Sequence, residues 1–205
     1  SMSVSGQVYS VIVLFLKVIL VIFILHVLLL IIQFLVAGAI SGRNPMKALK
    51  GMLPAYATAL GTSSSAATIP VTLQCAISNK VNPSIASFTV PLCATIHLAG
   101  STMKITGFAL AIQYFFSIPV DPVTFIGFIF MLGIIMIAAP GVPGGAIMAA
   151  VGILQSILGF NEQMIGLMIT LYIAIDSFGT ACNVTGDGAI ALIVDKISRK
   201  KPSVA

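Results

Sequence analysis

Long apolar segments alternate along the chain with short polar and glycine-rich interruptions. Residues 8–40 are almost wholly apolar, and this run is too long for the core of a signal peptide. Residues 86–114 and 162–197 also carry long apolar segments. Since about 20 apolar residues are enough to cross a bilayer as a helix, the pattern predicts three transmembrane helices.

Two further segments are apolar but divided near their middle. Residues 44–78 contain two arms joined by the serine-rich residues 62–65, and residues 121–158 contain two arms joined by the glycine- and proline-rich residues 138–145. Every arm is shorter than a crossing helix. We therefore predict two re-entrant helical hairpins whose tips lie against protein or water, because irregular backbone is not tolerated in lipid.

The order of these elements predicts an inverted repeat. Each hairpin is followed by a spanning helix with polar residues at its centre, and a solute site is expected where two such repeats meet. With 59% hydrophobic and 7% charged residues, the composition excludes a soluble domain of this length. The predicted fold class is an all-α membrane protein, with residues 1–205 forming a single transmembrane domain.

The formal net charge is +5, and eight of the ten basic residues are clustered at the ends of apolar segments, whereas Lys17 and Lys104 lie inside such segments. The stretches around Asp121 and Glu162 contain no basic residue. By the positive-inside rule, the basic clusters are cytoplasmic and the acidic connections are external. This distribution argues against nucleic acid as a partner and predicts a multi-pass protein of the cell membrane with a cytoplasmic C-terminus. The clusters are Arg43, Lys47 and Lys50, then Lys80, then Lys196, Arg199, Lys200 and Lys201.

The basic residues that follow the first helix, within residues 43–50, place the start of that helix outside the cell. A chain does not easily begin there without a signal or earlier spans. We therefore expect an N-terminal portion to precede this sequence in the complete protein.

The segment 162–197 carries a stripe of polar residues. At about 100° per residue, Asp176, Thr180, Asn183 and Asp187 fall within roughly 60° of one another on a helix. Ionisable groups at membrane depth usually face a cavity, a partner or a bound ion. The alternative is a structural stripe that joins helices. Two carboxylates without nearby basic partners favour a site for cations and a small polar solute.

Residues 94–101 interrupt the segment 86–114 with polar and weakly helical positions, among them Thr95, His97 and Ser101. Unwound backbone at this point would turn carbonyl oxygens inward. Transporters often coordinate alkali cations in this way.

Catalytic interpretations of the polar residues lack support. Along one helix, Asp176 and Asp187 would lie about 16 Å apart, too far to act together on one bond. Ser64 and His97 could be imagined as nucleophile and base, but no motif accompanies that pair. The cysteines show neither metal-ligand spacing nor a disulfide framework. We predict that the protein is not an enzyme.

Three motifs occur in the order and spacing of a known family. They are the serine tip with Ser63-Ser-Ser65 and Ile69-Pro-Val-Thr72, the tip Gly141-Val-Pro-Gly144, and Asn183-Val-Thr-Gly-Asp187. Over residues 8–201, the chain resembles the dicarboxylate/amino acid:cation (sodium) symporters, the glutamate transporter family. The resemblance covers only the C-terminal transport-domain part of a family member, from the sixth transmembrane helix. It implies a missing N-terminal scaffold and a homotrimer in the full-length protein.

The resemblance implies a sodium-coupled symporter for a small amino acid or dicarboxylate. The serine tip would hold the substrate α-carboxylate, Val142 would lie in the tip that closes over the substrate, and Asp176 would accept the substrate ammonium. The implied substrate-binding residues are Ser64, Ser65, Ser101, Lys104, Val142, Asp176, Gly179, Thr180 and Asn183. The implied sodium ligands, partly through backbone carbonyls, are Cys93, Thr95, His97, Asn183 and Asp187.

Three positions depart from the family pattern. Gly179 stands where members with acidic substrates carry an arginine for the substrate side chain. His97 replaces an asparagine, and Ala99 replaces an aspartate, which puts a third sodium site in doubt. His97 either binds a coupled proton, because histidine titrates near neutrality, or stays neutral and satisfies backbone carbonyls.

Lys104 lies three residues after Ser101 on the same helical face. Its amine could replace the missing arginine at the substrate, pair with Asp176, or extend outward along its apolar stem. An inward amine would accommodate an acidic substrate side chain, whereas an outward one would favour serine, threonine or alanine. We favour a neutral substrate, because a buried amine bears a desolvation cost.

An alternative function is that of a fragment or subunit that binds solute and cation but does not transport. The resemblance implies alternating access, in which a mobile domain moves against a fixed scaffold. Without that scaffold, binding would not lead to transport.

Overall fold

The computed structural model describes the backbone of residues 2–199 and the side chains of residues 12–199. Within that range all regular structure is helical, so the protein is all-α as predicted. Lys200 and Lys201 of the basic C-terminal cluster lie outside the described residues. The helices are α1 (Met2–Ser41), α2 (Pro45–Gly51), α3 (Leu53–Thr62), α4 (Ser65–Ser78), α5 (Pro83–Ile96), α6 (Ala99–Phe115), α7 (Pro122–Met136), α8 (Gly145–Ser156), α9 (Glu162–Ala174) and α10 (Asp176–Ser198).

Two helical segments in the described part of the chain are long and apolar enough to cross a membrane, Ile12–Ser41 and Pro83–Phe115. Helices α9 and α10 add a third span if the pair is counted as one. Their axes are bent by 61° at Ile175, so the single helix predicted over 162–197 is wrong. The polar stripe nevertheless stays on one helix, because Asp176 begins α10.

The two divided segments each form a pair of helices joined at a short tip. In the first pair, α3 ends at Thr62, the next residue Ser63 adopts a left-handed conformation with φ of 49°, and α4 begins after Ser64. The first arm is itself divided, because α2 and α3 are separated at Met52. In the second pair, α8 begins after Gly144, where a φ of 72° favours glycine.

The second pair begins at a capped helix end. The Asp121 carboxylate accepts hydrogen bonds from the hydroxyl and the backbone N–H of Thr124, at 2.6 and 2.8 Å. These two bonds lower the pKa of Asp121 from its usual value. The Asp121 side chain therefore fixes the start of α7, in the connection that we expect to lie outside the cell.

The interior is divided into two apolar clusters, with one hairpin in each. One cluster joins α7 and α8 to α6 and α9 around Phe108, Phe128 and Leu154. The other joins α3 and α4 to α1, α5 and α10 around Phe34 and Met52. The two hairpins therefore pack in different clusters, and α1 contributes buried residues to both clusters.

Arg43 fastens the base of the first hairpin. Its guanidinium donates to the backbone oxygens of Asn79 and Lys80, at 2.9 and 2.7 Å, and lies 3.9 Å from the buried carboxylate of Asp195. Asp195 also accepts the backbone N–H of Asn82 at 3.1 Å. These bonds tie the end of α4 and the start of α5 to the last turns of α10.

Candidate functional site

The two hairpin tips are in direct contact. The Ser64 hydroxyl donates to the Gly141 carbonyl at 2.8 Å, and the Ala66 N–H donates to the same oxygen at 3.1 Å. A Cβ at position 141 would lie 2.6 Å from the Ala94 oxygen, so this approach requires glycine. The tips thus meet each other and the end of α5.

A small pocket lies between the tips and α10, with room for about one water molecule. Most of its polar lining consists of hydroxyl and amide groups. The lining residues are Ser63, Ser65, Leu98, Ser101, Pro140, Gly141, Val142, Ala146, Tyr172, Asp176, Thr180 and Asn183.

Four helices begin beside this pocket. The first turns of α4, α6, α8 and α10 contribute Ser65, Ser101, Ala146 and Asp176 to its lining. Free N–H groups and the positive end of the dipole at a helix start favour an anion. The starts of α4, α6 and α10 directly follow the ends of α3, α5 and α9, where carbonyl groups favour a cation. The pocket can therefore hold opposite charges close together.

Asp176 connects α10 to the second tip and to α6. One carboxylate oxygen accepts the Gly144 N–H at 2.8 Å, and the other accepts the Lys104 ammonium at 2.9 Å. Both side chains are buried, Lys104 completely. Of the three orientations that the sequence allows for Lys104, the structure shows the pair with Asp176.

Further contacts hold the Lys104 ammonium in place. It lies 3.3 and 3.4 Å from the carbonyl oxygens of Asp176 and Ile175, at the bend between α9 and α10. It also lies 3.7 Å from the ring centre of Tyr172, a cation–π contact. Lys104 is thus fixed on several sides and does not extend outward.

Gly179 provides the space that Lys104 occupies. A Cβ built at position 179 would overlap the Lys104 side chain at its Cε and Nζ atoms. The volume beside Thr180 that the sequence left open is therefore filled by Lys104.

Asn183 fixes the start of α6. Its side-chain oxygen accepts the N–H groups of Gly100 and Ser101 at 2.8 and 3.4 Å, and its amide nitrogen donates to the Ser101 hydroxyl at 3.0 Å. The predicted interruption of the helix is present directly before this point, because His97 and Leu98 separate α5 from α6. Asn183 therefore links the polar stripe of α10 to the broken helix.

Asp187 lies one turn further along α10 and is buried. His97 Nδ1 lies 2.8 Å from its carboxylate, and the Gln33 amide nitrogen lies 3.1 Å from His97 Nε2. The His97 ring therefore lies between Gln33 of α1 and Asp187 of α10. His97 thus contacts a carboxylate and an amide, rather than the backbone carbonyls that the sequence suggested as one alternative.

The surroundings of Asp187 fit a sodium ion in charge and in ligand type. A buried carboxylate needs a compensating positive charge, and no lysine or arginine pairs with Asp187 in the described part of the chain. Helix α5 ends at Ile96, directly before His97, and the last carbonyl groups of a helix have no partner within that helix. Oxygen is the ligand that hard cations prefer. Cys93 is buried on the last turns of α5, whereas Thr95 is exposed and its hydroxyl donates to the Leu92 oxygen at 2.9 Å.

The structure brings most of the predicted substrate-binding residues to the pocket: Ser65, Ser101, Val142, Asp176, Thr180 and Asn183 line it. Ser64, Lys104 and Gly179 lie behind the lining and hold it in place. Ser63 and Tyr172 also line the pocket, although neither is among the substrate-binding residues that the sequence implied. The signal for Tyr172 was its position four residues before Asp176, which places an aromatic ring on the polar side.

Comparison with known proteins identifies related sequences. The model of the sodium:dicarboxylate symporter family matches residues 1–197. Human excitatory amino acid transporter 5 is 33% identical over 162 residues, which cover 78% of this chain and 29% of that protein. The serine/threonine transporter SstT of Acinetobacter baumannii (strain SDF) is 34% identical over 180 residues, which cover 86% of this chain and 45% of that protein. The chain thus spans less than half the length of these relatives.

Proposed function

Because the chain belongs to the sodium:dicarboxylate symporter family, we propose that it forms the solute- and sodium-binding part of a membrane symporter for a small carboxylate. The family consists of membrane transporters rather than enzymes. We extend to this chain the coupling to sodium that the family name states. Residues 1–205 would then form one transport domain that works with a scaffold.

The position of Asp176 supports this proposal most strongly. It lies at the pocket and accepts the N–H of Gly144 in the second tip, and Gly141 of that tip contacts Ser64 of the first. Moving the second tip away would break these bonds and expose the pocket between the tips. A solute held there would contact groups from both hairpins, so its binding is linked to closure of the tips.

Asp187 is the proposed centre of the sodium site, with carbonyl groups near Cys93 and His97 as further ligands. Sodium bound there would supply the positive charge that compensates the carboxylate. Asn183 lies between Asp187 and the pocket and holds the start of α6 through Gly100. It is therefore placed to couple the arrangement of the cation site to that of the solute site.

Proton coupling through His97 is a second candidate function. The contact of 2.8 Å between His97 and Asp187 favours it, because a protonated imidazole would compensate the same carboxylate. Replacing His97 with asparagine separates the two candidates. If only sodium is coupled, solute binding by this variant still requires sodium and keeps its pH dependence. If a proton is coupled through His97, the pH dependence of solute binding disappears in the variant.

The relatives' names suggest two classes of solute, excitatory amino acids and serine or threonine. The preference for a neutral amino acid assumed that Lys104 extends outward, and this condition is not met. A site with an inward lysine and several helix starts suits a carboxylate, so we retain that group as the proposed common feature of the solutes.

Sodium-dependent stabilisation by a small carboxylate is the expected result of a ligand screen. At about 100 times the dissociation constant, a ligand stabilises the folded state by about 2.7 kcal/mol, so we expect the melting temperature to rise by about 5 °C. The three buried free cysteines, Cys75, Cys93 and Cys182, allow a thiol-reactive dye to report unfolding. Amino acids and dicarboxylates are compared in sodium and in choline, and an equal shift in both salts would contradict sodium coupling. Uptake by proteoliposomes then tests transport by this chain without a scaffold.

Re-entrant hairpins predict that the two ends of each hairpin lie on one side of the membrane. In a background where the native cysteines are replaced by alanine, Lys47→Cys and Ser84→Cys should react with an impermeant maleimide from one side. Val123→Cys and Glu162→Cys should both react from the opposite side. All four positions are exposed on the folded chain and lie in the first turns of their helices. Labelling of the two ends of one hairpin from different sides would show that it crosses the bilayer.

A further inference from the structure

Lys104 occupies the place where an amino-group ligand would be expected. Its ammonium is 2.9 Å from Asp176, contacts two backbone carbonyls, and lies over the Tyr172 ring. Carboxylate, carbonyl and aromatic face are the groups that bind a ligand ammonium. The chain therefore provides an ammonium of its own at Asp176.

The space for this lysine is built into α10. Any residue larger than glycine at position 179 would overlap the Lys104 side chain. Gly179 lies in the interior of a helix, where glycine is intrinsically unfavourable. The close fit of Gly179 to Lys104 indicates that the inward position of the lysine is a feature of the folded site.

We propose that Lys104 is a built-in replacement for a substrate ammonium, so that the pocket selects small carboxylates without an α-amino group. This inference rests on the proposed function, because it narrows the solute class of the same pocket. It sets the chain apart from relatives whose names state amino acid transport.

Charge balance in the pocket leads to this selection. Asp176 is the only acidic residue that lines the pocket in the described part of the chain, and Lys104 neutralises it. An α-amino acid would bring a second ammonium to the same carboxylate. It would have to displace Lys104, which would then be a buried charge without its partner, or it would bind with its own ammonium unpaired.

The remaining polar groups suit a carboxylate or a hydroxyl group. Ser65, Ser101 and Thr180 present hydroxyl groups to the pocket, and the first two of these residues lie in the first turns of α4 and α6. A 2-hydroxy acid replaces the ammonium of an amino acid with a neutral group that needs no counter-charge. The chemistry of the pocket therefore favours it over the amino acid with the same carbon skeleton.

Matched ligand pairs test this selection. Radiolabelled malate and aspartate share one carbon skeleton, as do lactate and alanine, and the members of each pair differ only in hydroxyl against ammonium. Dissociation constants are measured by equilibrium dialysis on the full chain in lipid nanodiscs at saturating sodium. We expect the hydroxy acid to bind about 100-fold more tightly than its amino partner in at least one pair.

Two variants test the role of Lys104. Lys104→Met should improve amino acid binding about tenfold and weaken hydroxy acid binding, because Asp176 becomes available to the ligand. Gly179→Ala keeps the lysine and should lower the ratio of hydroxy acid affinity to amino acid affinity in the same way. This variant tests the role of Lys104 if Lys104→Met does not fold. Lys47→Met removes an exposed lysine far from the pocket in sequence and should leave the ratio unchanged.

The outcomes separate this inference from the proposed function. Equal or tighter binding of the amino acids by the unchanged chain, or a ratio that neither variant alters, would overturn the role of Lys104 and leave the proposed function standing. If no ligand of either pair binds with sodium present, the proposed function fails, and the selection based on it fails too.

Discussion

Replacing Asp187 with asparagine is expected to weaken sodium-dependent solute binding about 100-fold, equivalent to roughly 3 kcal/mol. The substitution keeps the shape of the side chain but removes the negative charge that a cation would neutralise. His97 can still contact the amide, so the helix packing around position 187 should persist. Solute affinity measured over a range of sodium concentrations, together with the melting temperature in choline, checks both expectations.

Glu162→Gln is a suitable control for the Asp187 substitution. It also neutralises one acidic residue, but Glu162 is exposed at the start of α9. Its solute affinity and sodium dependence should match those of the unchanged chain. If Asp187→Asn shows the same sodium dependence as this control, Asp187 is not a sodium ligand.

Replacing Asp176 with asparagine should cause the largest loss of stability among single substitutions at the pocket. It leaves Lys104, which is completely buried, without a carboxylate partner. Breaking a buried ion pair on one side costs about 3–5 kcal/mol, whereas replacing both partners is often nearly neutral. We therefore expect the melting temperature to fall by about 10 °C in Asp176→Asn.

The combination of Asp176→Asn with Lys104→Met provides the matched comparison. Without either charge, most of the lost stability should return, and the double-mutant cycle gives the coupling between the two side chains. The melting temperatures of the unchanged chain, the two single variants and the double variant are measured with the thiol-reactive dye in the same detergent. Additive effects of the two substitutions would show that the ion pair does not hold the pocket together.

Much of the fold could be predicted, because apolar length decides where helices form in a membrane protein. The predicted segment 8–40 lies within α1, and the divided segments 44–78 and 121–158 contain the paired helices. The polar stripe on α10 was visible because its residues repeat with the period of a helix. The re-entrant arrangement of the hairpins remains a prediction.

Other features depend on contacts that lie far apart in the chain. The bend at Ile175 has neither proline nor glycine beside it, and the carbonyl of Ile175 contacts Lys104, 71 residues away. Sequence spacing placed Lys104 on the same helical face as Ser101. It did not decide whether the amine contacts the substrate, pairs with Asp176 or extends outward. The contact between His97 and Asp187 likewise depends on how α5 and α10 pack.

The fit of Gly179 to Lys104 also constrains how this site can change during evolution. A larger residue at position 179 and a lysine in the observed conformation at position 104 would occupy the same volume. An arginine could therefore be acquired at position 179 only together with, or after, the loss of the lysine. A larger residue at position 179 alone would overfill the site, and loss of the lysine alone would leave Asp176 unpaired. The two positions should therefore change as a pair, and proteins with only one of the two changes should be rare.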